Sequence, residues 1–313
     1  MLSDLERWAS GTASAADYSA TLERARGHAA TLLGVEADRI ATGSQVSVFT
    51  GLAAASAPAG AEVLCIDGDF SSVVAPFLAR SDLRVRHVPL AAVADEVRPD
   101  TWMVSYSLVQ SATGEIADAA SVADAARNAG ARVLIDTTQA TGWLPTTDLD
   151  ADFIVCHAYK WLGAPRGAAF AAVSGRLADE LTPYTAGWYS GADPWSSCYG
   201  PDLHLAGDAT RFDVSPAWHA WAGAEAALGF AASLDAAEVH DHALGLANAF
   251  RGRLGLDAGD SAIVAWPDAE GADLAALTAA SITASGRAGR ARVAFHLWND
   301  LEDVELAATA LGR

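Results

Sequence analysis

Lysine is nearly absent from this 313-residue chain: nineteen of its twenty basic residues are arginine, and the single lysine is Lys160. Arginine replaces lysine wherever any cation serves, but guanidinium stays protonated and cannot attack a carbonyl. A lone lysine in such a chain is therefore a candidate for amine chemistry. Cysteine is scarce too. Cys65, Cys156 and Cys198 form no CxxC pair and no Cys/His set with zinc-ligand spacing, which excludes a disulfide framework and points to no metal site. No apolar run approaches the roughly 18–20 residues that span a membrane. The N-terminus MLSDLERWASGTASAADYS is acidic where a secretory signal is basic, so a cytoplasmic protein is expected. A net charge of −19 disfavours nucleic acid, whose phosphates it would repel. A GxGxxG turn after the first strand is also missing, with no acidic residue at the matching spacing, which excludes a Rossmann-type oxidoreductase.

What is present is a regular alternation. Short apolar runs at 62–67, 83–89, 102–107, 131–137, 152–157 and 168–173 read as buried strands. Ala-rich helical stretches lie at 16–33, 46–57, 72–79, 119–128 and 217–233. This predicts an α/β fold with a mostly parallel sheet covered on both faces, which binds ligands at the carboxyl ends of its strands. Residues 236–313 carry helices near 237–253, 271–281 and from 300, with strands at 261–266 and 290–296. They read as a smaller α+β domain. The expected division is a large domain over 15–235, a small domain over 236–313, and a short leading segment over 1–14. Between Pro183 and Asp208 lies a long aromatic loop, and loops of that length are usually functional or disordered.

The strand ends carry the chemistry. Strand 131–137 brings Asp136, followed by Thr137, Thr138 and Gln139, while strand 152–157 runs into His157-Ala158-Tyr159-Lys160. Successive strands of a parallel sheet end at one edge, so Asp136 and Lys160 are expected to converge. A carboxylate there could pair with a protonated pyridine nitrogen, the partner that makes pyridoxal 5′-phosphate (PLP) an electron sink. Gln139 could donate to the pyridine 3′-oxygen. Upstream, ATGSQVS (41–47) is a small-residue turn entering a helix, where the backbone N–H groups of Ser44 and Gln45 would hold a phosphate. In GDFSS (68–72), Phe70 offers a face to stack on a cofactor ring, although such a residue alone is more often core.

The string IDTTQATGWLP…DFIVCHAYKWLGAPRGAAF resembles the active-site stretch of class V aminotransferases. This fold type I PLP group also includes cysteine desulfurases, kynureninases, isopenicillin N epimerase-like proteins and ergothioneine C–S lyases. The family's order is phosphate turn, stacking ring, Asp-x-x-Gln, Schiff-base lysine, then a late arginine before an aromatic-Asn pair, and this chain has each in turn from Gly43 to Asn299. The resemblance implies that Lys160 forms the Schiff base and then shuttles the α-proton. It implies that Asp136 pairs with the pyridine nitrogen, that Gln139 contacts the 3′-oxygen, and that Phe70 stacks on the ring. A phenylalanine there is similar to the kynureninase and lyase branches; desulfurases and many transaminases of the class carry histidine. Gly43, Ser44, Gln45 and His157 would surround the phosphate. Ser215, in RFDVSPAW (211–218), matches a residue that reaches the neighbouring subunit's phosphate, which implies a homodimer with shared active sites. Arg292, in RVAFHLWN (292–299), matches the arginine that clamps the substrate α-carboxylate with a geometry lysine could not supply.

Two departures qualify the pattern. The stretch SITASGRAGRA (281–291) lacks the cysteine that desulfurases use as nucleophile, which disfavours direct desulfuration but leaves β-elimination open. Family members usually begin with an arm that lines the site, whereas this chain starts at Met1 almost directly in its first helix, so that arm is expected to be missing. The expected function is a PLP enzyme acting at the α-amino group of a small amino acid, with transamination placed first. A C–S or other β-lyase and an epimerase are the alternatives, because the three branches part from one common intermediate. A catalytically inactive PLP-fold binding protein is the alternative from another class. Trp188 and Tyr189, with Trp195, are expected to form a substrate wall suited to apolar or aromatic bulk.

Overall fold

Seven strands and the helices between them build the first of two units in the computed structural model, which describes residues 1–313. That unit comprises Met1–Leu108, Asp118–Thr141 and Thr146–Ser233; the second comprises Val109–Ala117, Gly142–Pro145 and Leu234–Arg313. In chain order the first contains α1 (Leu2–Ala9), α2 (Ala15–Leu33), β1 (Ile40–Gly43), α3 (Val46–Ser56), β2 (Glu62–Ile66), α4 (Ser71–Leu78) and β3 (Arg84–Val88). It continues with β4 (Thr101–Ser107), α5 (Ala119–Ala129), β5 (Arg132–Asp136), β6 (Phe153–His157), β7 (Ala169–Val173), α6 (Gly175–Ala178) and α7 (Trp218–Ala232).

The sheet order is β1-β7-β6-β5-β4-β2-β3. Strands β3, β2, β4, β5 and β6 run parallel, and β7 runs antiparallel to both β6 and β1. β1 therefore points the same way as β6, and every strand except β7 ends at one edge. Alternation along the strands sorts the faces. Ala41, Leu134, Phe153 and Val155 pack with Phe49 of α3 and with Val73 and Phe77 of α4. Ile40, Ile154 and Cys156 face the other way, against Leu22 and Ala29 of α2 and Trp221 and Leu228 of α7. Continuing the same parity puts Gly43, Asp136 and His157 on the α3/α4 side as their strands end.

Local signals explain the boundaries. α2 starts where the Ser14 hydroxyl accepts from Asp17 N at 3.1 Å, and it ends at Gly34, whose φ of 66° is the left-handed region. A Cβ on Gly34 would also stand 2.8 Å from the Thr147 carbonyl oxygen, so no larger residue fits there. α5 is capped by the Asp118 carboxylate and closed by Gly130. The sequence pattern missed β1, taking 41–47 as a turn only. A four-residue Ile-Ala-Thr-Gly strand is too short to show a period, and it exists because β7 offers it an antiparallel partner. The pattern also missed α1, which buries none of its residues.

The second unit holds α8 (Ala236–Arg253), β8 (Ile263–Pro267), α9 (Ala272–Ala279), β9 (Ser285–Arg287), β10 (Arg290–Ala294) and α10 (Leu301–Ala310). Its three strands form an antiparallel sheet in the order β8-β10-β9, around a core that includes Phe250, Trp266 and Phe295. Asp235 caps α8, and a reciprocal Asp300–Asp303 box caps α10. No helix in the protein is long and apolar enough to cross a membrane.

Candidate active site

The carboxyl edge of the large sheet gathers most of the residues that the motifs point to. Asp136 ends β5 opposite Ser107 of β4 and Val155 of β6. Gly43 and His157 both pair with Ala169, so the end of β1 and the end of β6 stand at one level on either side of β7. Past Gly43 the chain turns into α3, whose N-cap Gln45 makes no side-chain cap bond. Gly43 itself must be small, since a Cβ would approach the Phe49 ring to 2.9 Å.

Lys160 follows β6 in a tight turn closed by Gly163 N donating to the Lys160 carbonyl at 3.0 Å. Its Nζ lies 5.1 Å from the centroid of the Phe70 ring and 5.8 Å from that of Tyr159. Phe70 precedes α4 and is 42% exposed, which is unusual for a ring of that size and leaves a face open beside the amine. Asp136 is only 4% exposed and accepts from Thr138 N at 2.8 Å. Burial pushes its carboxyl up to about 6, against the opposing pull of that hydrogen bond and of the Lys160 charge. Gln139 is buried, and its amide oxygen accepts from Trp161 Nε1 at 3.1 Å, which orients the amide. His157 Nε2 is buried without a hydrogen-bond partner. Burial, then Arg166 and Lys160, bring the imidazole down to about 4, so it is neutral at physiological pH.

A family model for aminotransferase class V matches residues 9–265, most of the chain. This chain belongs to that family. Kynureninase from Deinococcus radiodurans is 30% identical over 260 residues, covering 79% of this chain and 62% of that protein. Isopenicillin N epimerase from Streptomyces clavuligerus is 30% identical over 193 residues, covering 55% and 48%. The chain thus spans about half to three-fifths of the length of these curated relatives. Among solved structures, the cystine C–S lyase C-DES with its reaction product cysteine persulfide superposes with a TM-score of 0.86 at 21% identity, over 96% of this chain and 89% of that one. A mutant of C-DES has glycine covalently linked to its PLP cofactor.

Class V enzymes use PLP, and the residues at this edge fit it. The cofactor needs a carboxylate for its pyridinium, and Asp136 is a buried carboxylate whose charged form burial disfavours and a neighbouring cation would stabilise. It needs hydrogen-bond donors for a phosphate, and the uncapped start of α3 and the orphaned His157 Nε2 supply them at one level of the sheet. It needs a ring and an amine side by side, as Phe70 and Lys160 are.

Three residues at this edge escape a reading by motif. Thr138 links two strand ends: its N–H donates to Asp136, and its Oγ accepts from His157 N at 2.9 Å. Asp69 holds Phe70, accepting from Phe70 N at 2.6 Å and from Ser107 N at 2.8 Å. Trp161 fixes Gln139. Each sits close in sequence to a motif residue, but hydrogen bonds between strand ends leave no spacing signal.

Ser215 is exposed and sits two residues beyond the buried Asp213. Tyr189 is 4% exposed in the α2/α7-side core, and its hydroxyl pairs with Ser19 Oγ at 2.7 Å, a packing position in place of a substrate wall. Trp188 is half-buried against the same core and touches both Tyr189 and Trp195. Arg292 belongs to the second unit, on β10 opposite Ser285. There its Nε donates to Ser285 Oγ at 3.1 Å and its Nη1 to the Ser111 carbonyl.

Proposed function

We propose that this protein is a PLP-dependent enzyme of amino acids, of the lyase type, in which Lys160 both holds the cofactor and moves the substrate α-proton. The observation that carries this is the placement of Lys160 Nζ against the exposed face of Phe70, with its charge acting on the buried Asp136. PLP, when bound, withdraws electrons from the α-carbon of the amino acid joined to it. The chain's own residues do the rest. Lys160, the one amine side chain, takes the proton from the α-carbon and delivers it to a departing group. Asp136 holds positive charge at the ring nitrogen, Gln139 steadies the ring oxygen, and Gly43, Ser44, Gln45 and His157 hold the phosphate. Arg292 is the proposed ligand of the substrate carboxylate.

Transamination stands first from the sequence motifs alone. The lyase branch moves ahead because the chain's relatives include a kynureninase matched over most of its length and a C–S lyase with the same fold. Direct desulfuration by an enzyme thiol is disfavoured. The hairpin segment 281–291 carries no cysteine, and burial pushes the thiols of Cys65 and Cys156 up to about 12. The same reading makes the protein a homodimer, with Ser215 offered to the neighbouring subunit's phosphate. Its three cysteines are free thiols, which supports a reducing, cytoplasmic setting.

The test is spectroscopic first. The purified chain should gain a visible absorbance band with PLP that borohydride bleaches irreversibly, and Lys160→Ala should lack it. An amino-acid panel then separates the branches. Release of a side-chain fragment with a keto acid supports the lyase, whereas amine transfer to an added keto acid restores the aminotransferase. No band with excess PLP would remove the proposal.

A further inference from the structure

We propose that the buried ion pair between Arg26 and Asp213 is the positioning device of the phosphate site, setting the Gly43–Gln45 turn and Ser215 in one register; this rests on the PLP reading above. β1 is a strand of four residues at the edge of the sheet, paired on one side only, to β7. Such an edge exposes unpaired backbone groups and has little to hold its register. Here the outer edge is satisfied by an ion pair in place of another strand. Arg26 Nη1 donates to the Ile40 carbonyl at 2.5 Å, and the Asp213 carboxylate accepts from Thr42 N at 2.6 Å. Val214 N completes the row, donating to the Thr42 carbonyl at 3.4 Å.

The pair is closed on itself. Arg26 Nη2 lies 2.7 Å from Asp213 Oδ2, with the two residues 3% and 1% exposed. Glu23, one helical turn before Arg26, accepts from the guanidinium at 3.0 and 3.1 Å. Ser190 Oγ donates to the Asp213 carbonyl at 2.7 Å and fixes the other end of that residue. A buried ion pair seldom adds net stability over an apolar replacement, so its worth here is sought in what it positions. The geometry is specific. Gly43 follows Thr42 directly, and Ser215 stands two residues beyond Asp213. One ion pair therefore sets the turn of its own site and the serine offered to the neighbouring one.

Pyridoxal provides the test, because it has the ring and aldehyde of PLP without the phosphate. The cofactor-free full chain is titrated with PLP and separately with pyridoxal, following visible absorbance, with circular dichroism to confirm the fold. In Asp213→Asn, PLP affinity should fall by about tenfold or more, the scale of one charge-assisted hydrogen bond. Pyridoxal affinity should hardly change. Arg26→Lys keeps a charge beside Asp213, but its ammonium cannot also span Ile40 and Glu23, so a smaller loss confined to PLP is expected. If Asp213→Asn does not fold, Arg26→Lys decides by the same criterion. An equal loss for both ligands, or no loss in folded variants, overturns the positioning role. If the unsubstituted chain binds neither ligand, the PLP reading fails and the positioning role falls with it.

Discussion

The ammonium of Lys160 stands 5.1 Å from the centre of the Phe70 ring, although one follows β6 and the other follows β2, with β5 and β4 between them in the sheet. Phe70→Ala should therefore weaken PLP binding by about fivefold to tenfold, the scale of one aromatic stacking contact. Phe70→Tyr should keep most of the affinity. Titration of the visible band measures both.

Asp136 makes the cofactor-free protein sensitive to pH. Its folded value of about 6 lies above the ordinary carboxylate value, so its cost is absent below about pH 4 and complete above pH 6. Asp136→Asn keeps an acceptor for Thr138 N and removes the buried charge. At pH 8 it should stabilise the cofactor-free protein by about 2–3 kcal/mol, and at pH 4 by little. Turnover should be lost at every pH. Thermal unfolding at the two pH values checks the first part.

His157 works in the opposite sense. Its folded value of about 4 lies below that of an unfolded histidine, so the folded state binds fewer protons between the two. Stability contributed by this group falls as pH drops from 6.5 towards 4, by about 2 kcal/mol once the shift is discounted for solvent screening of a partly exposed ring. His157→Gln should flatten that slope and, on the phosphate role proposed for this imidazole, weaken PLP more than pyridoxal. Denaturant unfolding at half-unit steps of pH would show whether the slope survives.

Gly43→Ala places a methyl group 2.9 Å from the Phe49 ring. Overpacking of this kind costs about 1–3 kcal/mol. Phe49→Leu in the same chain should recover part of the loss by opening the contact. A double-mutant cycle on the thermal midpoint reads the recovery, and additive losses would mean the contact is not the cause.

On the carboxylate role proposed for it, Arg292→Lys should raise KM for amino acids by at least about tenfold, because one ammonium cannot reproduce the forked pair of charge-assisted hydrogen bonds that role requires. The PLP band should be unchanged. Amines without a carboxylate should show no such loss, and an equal loss for them would point to a structural role.

Much of the fold was legible because most of the large sheet is parallel and its central strands are buried on both faces, so they read as continuous apolar runs between Ala-rich helices. Asp136, His157 and Lys160 were legible because they follow two such runs directly. β1 was not, since four residues cannot display a period and its existence depends on β7. Tyr189 was misplaced for a related reason: an aromatic in a long loop looks the same in sequence whether it lines a pocket or, as here, packs against α2.

The chemical inventory is written in the amino-acid order alone: one lysine able to act as an amine, a carboxylate at a strand end, a glycine turn entering a helix and a late arginine. That order also sets the alternation that sends most strand ends to one edge. Which groups meet there, and in what state, follows from the packing of the whole chain. Burial is a property of the packed whole, so the raised carboxyl of Asp136 and the lowered imidazole of His157 cannot be read from their neighbours in sequence. The same holds for Arg26 and Asp213, which pair because helix α2 and the segment before Ser215 pack against one short edge strand.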